Sequence, residues 1–263
     1  MKYNIKIKRN KFFSILYMRK FYTLLKRIRQ ESDFNFNDDV LLFHKKNITD
    51  YKGEVSLELG AGASLFYNIA LSDILKIQYL YDISLLIDKN SVNKVLKLLG
   101  KESIRTIDDL KKEGIYYHAP MDILEVDSFP YRRPNFFQSS STFEHIPRES
   151  LVLILNHLAK ILEKGSYMSL HIDYSDHLSH SDPSCSRNHF LTFSDDDFKK
   201  INSWVCYQNR LRHMHYKEIF QQAGYSIVSE EYLNYDEPPR FINKGLLTGH
   251  ESDFFTTGRW VLR

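Results

Sequence analysis

Four places in this sequence carry residue types and spacings that could do chemistry. The first is the stretch VSLELGAGAS, which begins at Val55. It is a run of strand formers containing Glu58, followed by Gly60, Gly62 and Ser64. Glycines at spacing two let a ligand approach the backbone closely, and a helix starting just after them favours a carboxylate or phosphate. The second is Asp82, twenty residues after Gly62 and at the end of another strand-like run. An acid at that offset suits a bidentate hydrogen bond to a ribose diol. The third is Pro120-Met121-Asp122, an apolar face beside an acceptor, as an adenine requires. The fourth is the polar run Ser139, Ser140, Phe143, Glu144 and His145. A nicotinamide dinucleotide would need a third glycine three residues after Gly62; that position is Leu65, so the dinucleotide fingerprint fails.

A different chemistry gathers downstream. HIDYSDHLSHSD contains His171, Asp173, Asp176, His177, His180 and Asp182 within twelve residues. An imidazole beside a carboxylate is the usual general base near neutral pH, so His177, paired with Asp173 or Asp176, is the first candidate to take a proton; His145 is the second. Asn209, Arg210 and Arg212 would suit an anionic group, which the guanidinium fork holds bidentately. Imidazole and carboxylate together also suit divalent ions. However, only His171 and Asp173 are placed on one strand face by spacing, so the sequence assigns no metal site.

The elements that must position these residues alternate. VSLEL, KIQYLYDIS, IYYHAP, PNFFQSSS and SYMSLHIDYSDH read as strands, YSIVSEEYL as a sixth and FFTTGRWVLR as a last. Between them, SLFYNIALSDIL reads as a helix capped by Ser64, and SVNKVLKLLG as a helix stopped by Gly100. RESLVLILNHLAKILEKG places Leu151, Leu155, Leu158 and Leu162 on one face. HYKEIFQQAG is a further helix. Strand–helix alternation predicts a parallel sheet covered on both faces, and the two late strands predict an antiparallel hairpin at one edge. The domain is expected to span 51–263, with a substrate-side insertion at about 174–215.

In this order, the motifs resemble those of the class I S-adenosylmethionine-dependent methyltransferases. Their first motif, E/D-x-G-x-G-x-G, is matched by Glu58, Gly60 and Gly62, while Ser64 replaces the last glycine. The resemblance covers roughly residues 53–263 and implies a Rossmann-like α/β fold with a seven-stranded sheet and a C-terminal hairpin. It further implies S-adenosylmethionine as cofactor and S-adenosylhomocysteine as product, bound by Glu58, Gly60, Gly62, Ser64, Asp82, Met121, Asp122 and Ser139. The DH pair, NHFL and NRLR resemble methyltransferases of bacterial surface-polysaccharide biosynthesis. That points to O-methylation of a sugar, sugar nucleotide, phosphate or phosphoramidate-type acceptor. The alternative is a methyltransferase fold used without turnover as a binding or scaffold subunit.

Bulk properties fit an intracellular enzyme. The 263 residues are 43% hydrophobic, enough for a full core. Cys185 and Cys206 form no CxxC pair, which fits a reducing, cytoplasmic compartment. Residues 1–30 hold ten Lys or Arg and no acid, leaving 26 basic against 33 acidic side chains in the rest. The body is therefore not composed to bind nucleic acid. KFFSILYMRKFYTLLKRIRQ has helical apolar spacing at Phe13, Leu16, Tyr17, Phe21, Leu24 and Ile28, and lacks a signal-peptide pattern. Within a basic helical extension over 1–50, it suits packing on the domain or in a homodimer, or peripheral contact with an anionic membrane such as the inner membrane surface.

Overall fold

The computed structural model describes residues 37–202 and 207–263. The basic amphipathic helix expected before Gln30 lies outside them, as does Cys206.

Strand β1 (Val55–Leu59) is buried at all five positions. This is the signature of a central strand covered on both faces, and it explains why its run of strand formers does not alternate cleanly. Strands β2 (Ile77–Tyr81), β3 (Ile115–His118), β4 (Phe136–Ser140), β5 (Tyr167–Asp173), β6 (Ile227–Tyr235) and β7 (Phe255–Leu262) complete one seven-stranded sheet in the order β3-β2-β1-β4-β5-β7-β6. The first five run parallel, with Leu57 opposite Tyr79 on one side and Phe137 on the other. β7 pairs antiparallel with both β5 and β6, setting Arg259 opposite His171 and Thr257 opposite Asp173. The expected edge hairpin is thus present. The strand order reverses between β1 and β4, the place where open α/β sheets receive ligands.

Helices cover both faces. On one, Leu151, Leu155 and Leu158 of α4 (Arg148–Ile161) join Tyr216, Ile219 and Phe220 of α6 (His213–Gln222) against Leu57, Phe137, Leu170 and Trp260. On the other, Phe66 and Ile69 of α2 (Phe66–Leu71) and Val92, Val95 and Leu96 of α3 (Lys89–Leu98) pack on Leu80 and Ile115. The leucine stripe read in α4 is buried as its spacing requires. A short helix, α5 (Asp195–Ile201), lies in the expected insertion and is capped by Ser194.

The remaining helix, α1 (Asp38–Asp50), is joined to the sheet by polar contacts. The buried His44 ring hydrogen-bonds Ser169 through Nδ1 (2.9 Å) and Ser140 through Nε2 (2.8 Å), while Asn47 donates to Ser169 Oγ. Ile48 packs with Leu71, Leu75 and Phe136. Residues 38–50, expected to belong to an extension, are therefore part of the packed body.

One boundary differs from expectation. α2 does not begin at Ser64, and Ser64 does not cap it. Leu65 adopts a left-handed conformation (φ +52°) and is fully buried, so helical hydrogen bonding starts only with Ile69 N–H donating to Leu65 O. The six-residue helix that follows offers a weaker dipole than the longer one the sequence suggested.

Candidate active site

The turn after β1 is shaped by the residues that needed least space. Gly60 is left-handed (φ +74°) and its N–H donates to Tyr81 O at 3.0 Å, fixing the turn to the end of β2. A side chain on Gly60 would collide with Thr142, whereas Gly62, also left-handed (φ +75°), faces open space. An L side chain disfavours both conformations, and only at Gly62 is the surrounding room left for another molecule.

Glu58 is buried and accepts hydrogen bonds from Asn68 Nδ2 (2.5 Å) and Gln138 Nε2 (2.8 Å), which tie β1 to α2 and β4. Burial pushes its carboxyl up to about 7; these donors oppose the rise and the Asp82 charge adds to it. Asp82 follows β2 directly and is buried, with Tyr117 as a hydroxyl neighbour. Its N–H donates to His118 O and its carbonyl accepts from Met121 N, so the β2 end and the segment after β3 are held together. Met121 is exposed, and the Asp122 carboxylate accepts from Leu124 N, capping the turn over Ile123–Glu125. The hydroxyl of Ser139 is spent on Leu59 O at 3.0 Å, stitching β4 to β1. Glu58, Gly60, Gly62, Ser64, Asp82 and Ser139 are thus gathered at the carboxyl ends of β1, β2 and β4. Met121 and Asp122 follow at the end of β3.

A cavity of about 570 Å³ is lined by Tyr67 of α2, Ser140 at the end of β4 and Ser141 after it, and His171, Asp173 and Arg259 from β5 and β7. Ser175, His180 and Arg187 continue its wall, and Asn37 and Asp39 close it from the start of α1. Among these, Arg187 and Arg259 are cations that sequence reasoning missed. Arg259 carried no motif; it enters the site because antiparallel pairing sets it opposite His171. His171 is held neutral, its pKa lowered to about 4 by burial and by the Arg259 charge.

The imidazole cluster is brought together around Asp173, one of the two partners the sequence offered for His177. His177 Nε2 faces Asp173 Oδ2 at 3.4 Å, and His180 Nε2 faces the same oxygen at 3.5 Å. Asp176 instead caps its own turn, accepting from Leu178 N at 2.8 Å. Burial acts most strongly on Asp173 and raises its pKa, but the facing His177 ring and hydrogen bonding from Ser175 override it and hold the carboxyl at about 2. His145 packs edge-on against His177, with ring centroids 4.9 Å apart, and its Nδ1 donates to Tyr207 O at 2.7 Å. Between them, Glu144 is buried, and burial plus the Asp173 charge push its carboxyl well above the ordinary range.

The substrate clamp read from Asn209, Arg210 and Arg212 is corrected by their contacts. Arg212 is wholly buried and donates to the carbonyls of Asp253, Tyr174 and Phe255, each at 2.7 Å, and to Asn188 Oδ1 at 3.2 Å. Arg210 binds Phe190 O, Phe193 O and Asp195. Asn209 donates to Phe143 O and Ile146 O. With Gln208, which accepts from His177 N, this strip braces the cluster, and four of the five N–H donors of the wholly buried Arg212 are spent on protein acceptors.

No family model matches the chain, and no curated protein sequence matches it. Solved structures do. An S-adenosylmethionine-dependent methyltransferase from Clostridium acetobutylicum aligns over 92% of this chain and 98% of its own, with TM-score 0.53 and 10% identity. The magnesium protoporphyrin IX methyltransferase of Synechocystis, crystallised with bound S-adenosylhomocysteine, aligns over 91% and 93%, with TM-score 0.50 and 13% identity. At such identities the likeness is one of fold. The fold of this chain is the Rossmann-like α/β architecture of those methyltransferases, with the β5-β7-β6 antiparallel edge. Among the described residues, no helix is long and apolar enough to cross a membrane.

Proposed function

We propose that the protein is an S-adenosylmethionine-dependent methyltransferase acting on an oxygen of a small acceptor. The observation that carries this reading is the Gly60–Gly62 turn at the β1/β4 reversal, with open space at Gly62 and buried Asp82 at the next strand end. The residues fit the cofactor: Gly62 offers backbone without a side chain, Asp82 a ribose acceptor, and Met121 an apolar surface for the base. When bound, S-adenosylmethionine supplies a methyl group already activated by sulfonium. The chain's own task is to hold the acceptor, exclude water and receive its proton.

The acceptor belongs in the 570 Å³ cavity, whose size suits a sugar or small phosphorylated molecule. Arg187 and Arg259 on its wall favour an anionic group, such as a sugar nucleotide, phosphate or phosphoramidate. These chemistries agree with a role in capsule or surface-polysaccharide modification. The proton leaves through the cluster of Asp173, His177 and His180, with His145 adjoining.

Calorimetric titration with S-adenosylhomocysteine, with NAD in parallel, tests the cofactor half of the reading. Saturable binding of the first alone is expected; binding of neither would overturn it in favour of a scaffold without turnover. Transfer of labelled methyl to a panel of sugar nucleotides and phosphoramidates tests the acceptor half.

A further inference from the structure

The spacing of Asp173, His177 and His180 is awkward for hydrogen bonding and well suited to something else. Charge-assisted N–H···O bonds settle at about 2.7–2.9 Å. Here Asp173 Oδ2 stands 3.4 Å from His177 Nε2 and 3.5 Å from His180 Nε2, and the three ligand atoms lie within 4.8 Å of one another. Two donors each about 2.0–2.1 Å from a tetrahedral ion are about 3.3–3.4 Å apart. The two separations from Asp173 Oδ2 are therefore close to a coordination edge, and the third lies within 4.8 Å.

The surrounding groups behave as supports for such a site. Asp173 Oδ1 accepts from Ser175 N at 2.8 Å, which fixes the carboxylate and leaves Oδ2 to face both rings. The backbone N–H of His177 is held by Gln208 Oε1. Next to His177, a second set of donor atoms, from Glu144, His145 and His177, also lies within 4.8 Å. A carbonyl can only accept, so His145 Nδ1 carries the proton given to Tyr207 O, and its Nε2 holds the lone pair, the tautomer a metal ligand needs. Glu144, 1% exposed, packs beside His177 in this set.

We propose that Asp173, His177 and His180 form a divalent transition-metal site on the wall of the cavity, with Glu144 and His145 packed beside His177. Two imidazoles and one carboxylate select an ion of the zinc, cobalt or nickel class over magnesium or calcium, which prefer all-oxygen sets. Asp173 and His180 line the cavity, so the remaining coordination position opens towards the space assigned to the acceptor. Ser175 Oγ hydrogen-bonds His180 Nε2 at 3.1 Å, a bond that the ion would replace. With the ion bound, His177 and His180 ligate it in place of taking the proton; that the ion would then acidify an acceptor hydroxyl bound there, its proton passing to solvent, rests on the methyltransferase reading, whereas the ion site itself does not.

The test is calorimetric titration of chelator-treated, untagged full-length protein with Zn²⁺ and with Mg²⁺, alongside the visible spectrum of the Co²⁺-loaded protein. One Zn²⁺ per chain and a four-coordinate Co²⁺ spectrum are expected. His177→Ala and the more exposed His180→Ala should each weaken Zn²⁺ binding by at least about 100-fold. His250→Ala, at a histidine outside both sets of donor atoms, should leave it unchanged. No saturable Zn²⁺ binding, binding of Mg²⁺ alone, or equal affinity in wild type and both cluster variants would overturn the site. S-adenosylhomocysteine binding by the same samples keeps the two readings apart. Zn²⁺ without the nucleoside would refute the cofactor assignment and leave the metal site standing, and the reverse result would do the opposite.

Discussion

A β-carbon placed on Gly60 would lie 2.1 Å from Thr142 Oγ1. The loop after β4 is thus pressed against the turn after β1, and the two glycines of that turn have different jobs. Gly60→Ala adds a collision and left-handed strain together, a loss of about 2–4 kcal/mol in stability. Gly62→Ala meets no atom within 4 Å and adds only the strain, about 1–2 kcal/mol. Its methyl group projects into the space assigned to the cofactor. Denaturant melts should therefore show Gly60→Ala as the less stable variant, while calorimetry should show Gly62→Ala folded but defective in S-adenosylhomocysteine binding. Normal binding by Gly62→Ala would remove the cofactor from that space.

Asp82 provides a second, chemically separate test of the same site. A carboxylate receiving hydroxyl hydrogen bonds contributes about 1.5–3 kcal/mol, so Asp82→Ala should weaken S-adenosylhomocysteine binding about 10- to 100-fold. The backbone bonds from Asp82 to His118 and Met121 do not involve its side chain, so the strand ends should stay in place. Unchanged affinity in a folded Asp82→Ala protein would contradict the ribose assignment.

Much of this was legible in the sequence, and the part that was not has a physical explanation. The strands, the leucine face of α4 and the edge hairpin follow from local periodicity. That Glu58, Gly60, Gly62 and Asp82 stand at strand ends was legible because strand ends and turns are local features. Arg187 and Arg259 were not, because pairing between β5 and β7, distant in sequence, brings Arg259 opposite His171. Nor could Arg212 be distinguished from a ligand clamp, since its partners are backbone carbonyls, to which side-chain patterns are blind. Asp173 and Asp176 looked equivalent beside His177; only the path of the loop decides that Asp173 faces the ring and Asp176 caps the turn.

Arg212 and Arg259 should consequently fail in opposite ways. Truncating Arg212 strands the carbonyls of Tyr174, Asp253 and Phe255, and an unsatisfied buried acceptor costs about 1–3 kcal/mol. Arg212→Ala should lose several kcal/mol in a denaturant melt or fail to accumulate as folded protein. Arg259→Ala removes a cavity-wall cation with a ring contact to Phe43, and should stay folded while raising KM for an anionic acceptor. An Arg212→Ala protein of wild-type stability would contradict the bracing role given to residues 208–212.

The docking of α1 should depend on pH through His44. Burial, then the charges of His171 and Arg259, lowers its pKa to about 3, against 6.5 for an exposed histidine. The unfolded state therefore binds the proton more readily, and the stability contributed by neutral His44 is present above pH 6.5 and lost as pH falls towards 3. At pH 5 the loss is about 2 kcal/mol. Glu58, raised to about 7 mainly by burial, works in the opposite sense between pH 4.5 and 7, as does Glu144, while His171 and His213, each lowered to about 4 mainly by burial, act with His44, so the whole protein shows only the net of these groups. His44→Gln isolates the histidine. Its amide keeps a donor and an acceptor for Ser140 and Ser169 but does not titrate. The variant should be less stable than wild type at pH 7.5 and should lose less on acidification to pH 5, as read from paired denaturant melts and from amide exchange across residues 38–50. Identical acid sensitivity in the two proteins would show that His44 is not the group that releases α1.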